Sequence, residues 1–519
     1  MNVLPDPALF DADPFLEGQD GKSLLRLIVC GSVDHGKSTL IGRLLYESGV
    51  LLADQLNALD AESHRHGTQG EARDFALLLD GLAAEREQNI TIDVAYRFFT
   101  TARRKFIVAD APGHEQYTRN MATGASTADL ALLLVSAADG LTRQTRRHAL
   151  ILSTLGVRNF VVAVNKMDLV GWSQPRFAAL ESEFLSFARG LQVDHIGFLP
   201  LAARDGDNLA CQSQRMPWYQ GPSLLEYLET VDIAPRRTSA FRMPVQCVNR
   251  PNSEFRGFCG LIATGEVCAG MPVQVLPSRQ CTHVGRIVSA DGDLAQGLAG
   301  QAVTLTLADE IDISRGDVLA AADAPVTVAD RINAKLVVTG AQPLVAGRWY
   351  LLKLGTASVT ARLEPPLRLL DLETHDYRVA RQFLTNDIGV AVIMLDRPLA
   401  LDRYADCRET GSFILIDPET CDTVGMGIIE TIEPTEAPGS VEFAATLANL
   451  IRATETHGRS VAKAISWRMT GSFDTFVLAA LITGSSTLAG GVALAEILTK
   501  TLLYYFHERV WALVRWGKR

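Results

Sequence analysis

At 519 residues the chain is too long for one hydrophobic core, so roughly two to four domains are expected. Its 47% apolar and 21% charged residues are those of a folded globular protein and exclude long disordered stretches. The formal net charge of −10 speaks against a protein whose main task is gripping nucleic acid, though a local basic patch remains compatible with it.

The acidic N-terminus, Met1 to Asp20, lacks the basic start and apolar run of a secretory signal, so the nucleotide-binding part is expected in the cytoplasm. The eight cysteines form no C-x-x-C pair and no zinc-site spacing; they read as small buried residues in a reducing compartment. From residue 24 to about 235, strand-like runs (Leu24–Cys30, Lys105–Ala109, Leu130–Val135, Phe160–Val164) alternate with helix-length segments. That pattern predicts βαβ units around a parallel sheet, an α/β P-loop domain. Between 236 and 432 helical periodicity nearly vanishes, and short runs punctuated by Gly and Pro predict two antiparallel β-barrels, 236–325 and 326–432, divided near Ala321–Val326. Residues 433–457 contain the Pro-bearing linker Glu433–Gly439, and 458–519 return to helical patterning. Residues 1–23 stand as an N-terminal extension.

Gly31-Ser32-Val33-Asp34-His35-Gly36-Lys37-Ser38 fits G-x-x-x-x-G-K-[ST] between a predicted strand and a predicted helix, Thr39 to Glu47. Its backbone N–H groups can curl around phosphates at a helix N-terminus. Gly31, Asp34, His35, Gly36, Lys37, Ser38 and Thr39 are the expected phosphate-side residues, with Lys37 reaching the terminal phosphates and Ser38 ligating Mg²⁺. Asp110-Ala111-Pro112-Gly113-His114 follows an apolar run. There Asp110 can hold the metal through water, and the Gly113 N–H can face a γ-phosphate. Asn165-Lys166-Met167-Asp168 follows the next such run. Asp168 can accept two hydrogen bonds from guanine that adenine cannot offer, Lys166 can cover the base, and Asn165 can tie the loops. Between the first two elements, Asp80–Asp93 is a polar segment containing Thr91, the expected second protein ligand to Mg²⁺.

In their order and wording these elements resemble the translation-factor GTPases, in which D-x-P-G-H is characteristic. The resemblance implies that His114 positions or polarises the attacking water, with Lys37 and Thr91 completing the catalytic set. The switch text Asp80–Asp93 with Val94-Ala95-Tyr96-Arg97, then Met216-Pro217-Trp218-Tyr219, Val248-Asn249-Arg250-Pro251-Asn252, Leu384-Thr385-Asn386-Asp387-Ile388-Gly389 and Arg408–Ile414, more narrowly resembles the large subunits of bacterial ATP sulfurylase. That resemblance covers roughly residues 20–430. It implies a GTPase subunit whose hydrolysis of GTP drives synthesis of adenylyl sulfate and pyrophosphate from ATP and sulfate. The catalysis would lie on a separate small subunit, with no nucleic acid involved. Ala202-Ala203-Arg204 matches the last guanine-contacting element, with Ala202 in place of the usual Ser; Asn89 replaces a usual Gly, and Cys407 a usual Asn. Residue 407 is expected to be too remote to affect hydrolysis. No second phosphate-loop motif follows Ser38, so no fused adenylyl-sulfate kinase activity is expected. Two other functions share these features: an elongation-factor-like GTPase binding tRNA, and a GTP-gated membrane adaptor.

The last segment resembles a small predicted membrane domain of unknown function, through Gly458–Arg468 and Tyr504–Trp511. Its apolar runs, about Ile465–Thr483 and Leu488–Phe506, are each near bilayer length. Basic residues flank both ends, which suits a hairpin that tethers the GTPase to the inner face of the membrane. Asp474 and Glu496 within the runs suit instead a helical hairpin docked on a partner or on itself. Both readings stand at this point.

Overall fold

The computed structural model describes residues 22–66, 73–79, 91–233, 240–252, 255–290, 292–324 and 326–433. The chain divides into two units, Met1–Thr435 and Glu436–Arg519, and every described residue belongs to the first. The N-terminal extension before Lys22, the switch residues Asp80–Ile90 and the apolar hairpin of the tail lie outside the described residues. Among the described residues no helix is long and apolar enough to cross a membrane.

The first domain is built on six strands: β1 (Ser23–Gly31), β2 (Ala95–Thr100), β3 (Arg104–Asp110), β4 (Leu130–Ser136), β5 (Asn159–Asn165) and β6 (His195–Pro200). Their order is β2-β3-β1-β4-β5-β6, parallel throughout except for β2, which pairs antiparallel with β3 at the edge. Every residue of β4 is buried, as the unbroken run Leu-Ala-Leu-Leu-Leu-Val requires of a strand covered on both faces. Helices α1 (Lys37–Glu47), α2 (Ala53–His66), α3 (Thr118–Thr127), α4 (Arg143–Thr154), α5 (Gln174–Ala188) and α6 (Leu224–Thr230) connect the strands. Thr142, Ser173 and Ser223 cap α4, α5 and α6 by accepting from the backbone N–H of Thr145, Arg176 and Glu226. Helix α1 differs. Its N-cap is Gly36 at φ 87°, with no side-chain cap, so the first N–H groups of the helix are left for another acceptor.

Two barrels follow, each a closed ring of six antiparallel strands. The first comprises β7 (Arg242–Asn249), β8 (Gly257–Leu261), β9 (Pro272–Leu276), β10 (Gln280–Ser289), β11 (Ala302–Leu307) and β12 (Val318–Ala321). They run in the order β9-β12-β7-β8-β11-β10, and β10 pairs with β9 to close the ring. The second comprises β13 (Thr327–Val338), β14 (Trp349–Leu354), β15 (Ala357–Leu370), β16 (Ile388–Leu401), β17 (Ser412–Ile416) and β18 (Thr423–Glu433). Its order is β14-β17-β18-β13-β16-β15, closed by pairing of β15 with β14. Alternating inward residues fill each ring, around Val245, Phe258 and Leu305 in the first and Ile332, Leu352 and Ile393 in the second.

The second barrel shares its core with the first domain. Val337, Leu370, Ile388, Tyr404 and Ile428 belong to the same buried cluster as Leu150, Phe160 and Phe184. Tyr404 Oη donates to Leu155 O at 2.7 Å, and Arg408 Nη2 donates to Gly156 O at 2.6 Å, just beyond α4.

The cysteines depart from expectation. Cys30 and Cys407 are buried and Cys259 is half-buried, whereas Cys211, Cys247, Cys268, Cys281 and Cys421 are exposed. Composition alone could not separate the inward from the outward side of short barrel strands and turns, where several of these residues stand.

Candidate nucleotide site

The three motifs meet at the C-terminal ends of neighbouring strands. The phosphate loop leaves β1, Asp110 ends β3 and Asn165 ends β5. This rim of an open α/β sheet is where such folds bind ligands. Lys37, the first residue of α1, is 7% exposed, and its Nζ donates to Ser32 O at 2.9 Å. Burial pushes the Lys37 ammonium down, and the Asp110 carboxylate opposes that shift. Behind it, burial pushes the Cys30 thiol up to about 12.

Gly113 is pressed into the phosphate loop. A Cβ there would lie 2.5 Å from Lys37 Nζ and 2.9 Å from Val33 N, so only a glycine lets the second motif approach the first this closely. Asp110 is buried, and Ala111 N donates to Val29 O at 3.1 Å, which fixes the start of the motif against β1. His114 is half-buried. It N-caps the short helical turn Glu115–Tyr117, its Nδ1 accepting from Gln116 N at 3.3 Å. In the neutral ring the remaining proton therefore sits on Nε2.

Asn165 connects the loops as its position suggests. Its Nδ2 donates to His35 O at 2.8 Å, and its Oδ1 accepts from Ala203 N at 2.9 Å. The His35 ring is buried, with Nδ1 at 3.0 Å from Leu134 O, so this residue offers a ligand only its backbone. Asp34, at φ 63°, is exposed, and Ser38 and Thr39 are half-buried at the start of α1. Lys166 adopts φ 62°, and Lys166 and Asp168 are half-buried at the loop after β5. Ala202 and Ala203 are buried beneath them, Arg204 is exposed, and Arg43 Nη1 holds Arg204 O at 3.1 Å. Thr91 is half-buried just before β2, and Asn120 Nδ2 fastens the neighbouring Ile92 O at 2.8 Å.

Several contacts carry no local sequence signal. Glu115, next to His114, has its carboxylate 3.3 Å from Arg147 Nη1, and its carbonyl accepts from Asn386 Nδ2 of the second barrel at 3.0 Å. Arg147 Nη1 also donates to Gln144 Oε1 at 2.8 Å, which turns the Gln144 amide nitrogen toward His148 Nε2 at 2.9 Å. Only the Leu384–Gly389 text hinted at Asn386, and it gave no role.

Among the described residues no group of three His, Cys, Asp or Glu side chains could hold a metal. The oxygen donors available, Ser38, Thr91 and Asp110, suit Mg²⁺, which keeps waters and phosphate oxygens as its other ligands.

A mainly parallel sheet with the phosphate-loop, D-x-P-G-H and N-K-x-D motifs on one rim, followed by two closed barrels, defines a P-loop GTPase of the translation-factor class. Residues 22–236 match the elongation factor Tu GTP binding domain, and residues 331–430 match the GTP-eEF1A C-terminal domain-like family. Residues 461–512 match a family described as a predicted membrane protein. Sulfate adenylyltransferase subunit 1 of Methylorubrum extorquens is 53% identical over 433 residues, which cover 83% of this chain and 92% of that protein. Its counterpart in Laribacter hongkongensis is 50% identical, covering 84% and 91%. The bifunctional enzyme CysN/CysC of Xylella fastidiosa is 54% identical, covering 80% and 67%. Among solved structures, sup35 complexed with GMPPNP aligns at 25% identity over 81% of this chain and 97% of that one, with a TM-score of 0.36. The chain belongs to the family of sulfate adenylyltransferase subunit 1.

Proposed function

We propose that this chain is the GTP-hydrolysing subunit of a two-chain sulfate adenylyltransferase. It couples GTP hydrolysis to formation of adenylyl sulfate and pyrophosphate from ATP and sulfate on the other subunit. The observation that carries the hydrolytic part is the seating of Gly113 against Lys37 and Val33. It brings the motif containing His114 onto the phosphate loop.

Lys37 and the backbone N–H groups from Gly31 to Thr39 hold the phosphates. Ser38, Thr91 and Asp110 hold Mg²⁺, which when bound offsets charge on the phosphate oxygens. Asp168 reads guanine, Lys166 covers it, and the backbone of Ala202–Arg204 closes the base pocket. His114, with its Nε2 carrying the proton, orients the attacking water rather than abstracting from it, in keeping with a reaction governed by positioning and charge. Replacing His114 by Ala is expected to slow GTP hydrolysis by about 100-fold or more, the scale of losing one positioned transition-state donor, with GTP affinity retained. Equal turnover in the variant would refute the role.

The subunit 1 family name implies a second subunit. Co-purification with that chain, followed by assay of adenylyl sulfate with and without GTP, tests the coupling. No stimulation by GTP would overturn it. The tRNA-binding alternative is not favoured: the relatives are sulfate adenylyltransferase subunits, and the chain carries a net charge of −10. The match of residues 461–512 to a predicted membrane protein family supports a further reading, that the tail tethers the GTPase to a membrane. Recovery of the full chain in the membrane fraction, and of a chain ending at Glu433 in the supernatant, is the expected result; full recovery of both in the supernatant would dismiss it.

A further inference from the structure

Cys247 on β7 stands directly opposite Cys259 on β8. A local irregularity puts it there. The pair Val245↔Gly260 would, in a regular ladder, set Gln246 against Cys259; the register shifts by one residue between Val245 and Cys247 and brings the two cysteines together. Both lie on the outer side of the first barrel, Cys247 exposed and Cys259 half-buried. Directly opposed antiparallel residues have Cα atoms about 4.5–5.5 Å apart, inside the range of about 4.4–6.8 Å that a disulfide spans. The Cys259 sulfur also lies 3.3 Å from Thr304 Oγ1, which fixes its side. The other barrel cysteines placed in a ladder have no such neighbour in register: Cys268 faces Gln296 and Cys281 faces Gln274.

We propose that Cys247 and Cys259 are a redox-active thiol pair that closes to a disulfide by exchange with a low-molecular-weight disulfide, stapling the β7–β8 hairpin. Cys247, the exposed partner, attacks. Its thiolate displaces one small thiol and forms a mixed disulfide, and the Cys259 sulfur then attacks Cys247 and displaces the second. Two protein S–H bonds break, one protein S–S bond forms, and the small disulfide is reduced to two thiols. Arg315 assists: Nη1 donates to Gln246 O at 3.1 Å, which holds its charge beside the attacking residue. The neighbouring Cys259 thiol pushes the Cys247 thiol up, and the Arg315 charge works against that. The staple closes the hairpin that carries Arg250-Pro251-Asn252, a segment to which the nucleotide reading gives no role.

The test equilibrates the full-length protein with mixtures of oxidised and reduced glutathione, quenches in acid, alkylates free thiols and maps the peptides by mass. The expected product is a Cys247–Cys259 linkage, reversed by dithiothreitol. It should be favoured at least about tenfold over a glutathione adduct on Cys268 or Cys281, because the second thiol is already in place. In Cys259→Ser the glutathione adduct should stall on Cys247; in Cys247→Ser the half-buried Cys259 should stay largely free. A wild-type chain in which Cys247 holds a stable adduct, or stays no more oxidised than Cys268, overturns the proposal. The result is independent of GTP or sulfate chemistry.

Discussion

The side chain of Asn165 joins two loops that sequence keeps far apart: its nitrogen holds His35 O, and its oxygen holds Ala203 N. Truncation to Ala would leave a buried carbonyl and a buried N–H without that partner, at a cost of about 1–3 kcal/mol each. Asn165→Ala should therefore lower both the denaturation midpoint and GTP affinity, as read by urea melts and nucleotide titration; an unchanged affinity would mean the loops hold themselves. His148 gives a pH prediction. Burial pushes its imidazole down to about 3, and Gln144 presents its amide nitrogen to Nε2, where a second proton would have to go. The unfolded chain binds that proton below about pH 6.5 while the folded chain refuses it until about pH 3. Its contribution is thus complete above pH 6.5 and declines as pH falls, by up to about 1.4 kcal/mol per unit. Burial also holds His35 down, with the same sign. His148→Gln should flatten the loss of stability between about pH 6.5 and 4 in urea melts, and an unchanged slope would contradict the assignment. The nucleotide motifs were readable because each is a short polar text after an apolar strand. His148 was not, since a histidine amid α4 shows its burial only once the helix is placed against the sheet.

At the scale of elements, the second barrel reaches the segment that carries His114. The loop Leu384–Asp387 is fixed by Leu384 N, which donates to Asp387 Oδ2 at 2.7 Å, and by Asn386 N, which donates to Val338 O at the end of β13 at 2.9 Å. Asn386 holds φ 68°, which Asn tolerates, and aims its amide at Glu115 O beside His114. Both Asn386→Gly, which keeps the backbone, and Asn386→Asp, which keeps the shape but not the donor, should lower the GTPase kcat about 3- to 10-fold at unchanged GTP affinity. If Asn386→Gly behaves like wild type, the residue serves only its turn. Cys407, replacing a usual Asn, sits beside Arg408 at the same seam between barrel and GTPase domain. The fold class was legible from period and punctuation. The seam was not, because Tyr404 and Ile428 read as ordinary barrel residues until the barrel is docked.

For the whole molecule, the shared cluster means the first domain and the second barrel unfold together, whereas the first barrel has a core of its own around Phe241, Val273 and Leu319 and meets the second barrel through the smaller cluster of Leu276, Val318, Ala320, Val326 and Ala400. A chain lacking residues 326–433 would expose the apolar faces of Leu155 and Phe187 and should melt lower or aggregate, whereas excision of residues 240–324 behind a short linker should leave a soluble, GTP-binding protein. Calorimetry and nucleotide titration of the two deletions compare them directly. Equal behaviour would show that the shared cluster contributes little.

That cluster also sets an order of events during synthesis. The helices of the GTPase domain end at Thr230, but the side chains that complete its covering arrive only with Tyr404 and Ile428. At about 5–20 residues per second, the intervening stretch of roughly 200 residues takes about 10–40 s to emerge. Throughout that interval the nascent GTPase carries an apolar flank that only the docking of the second barrel will cover.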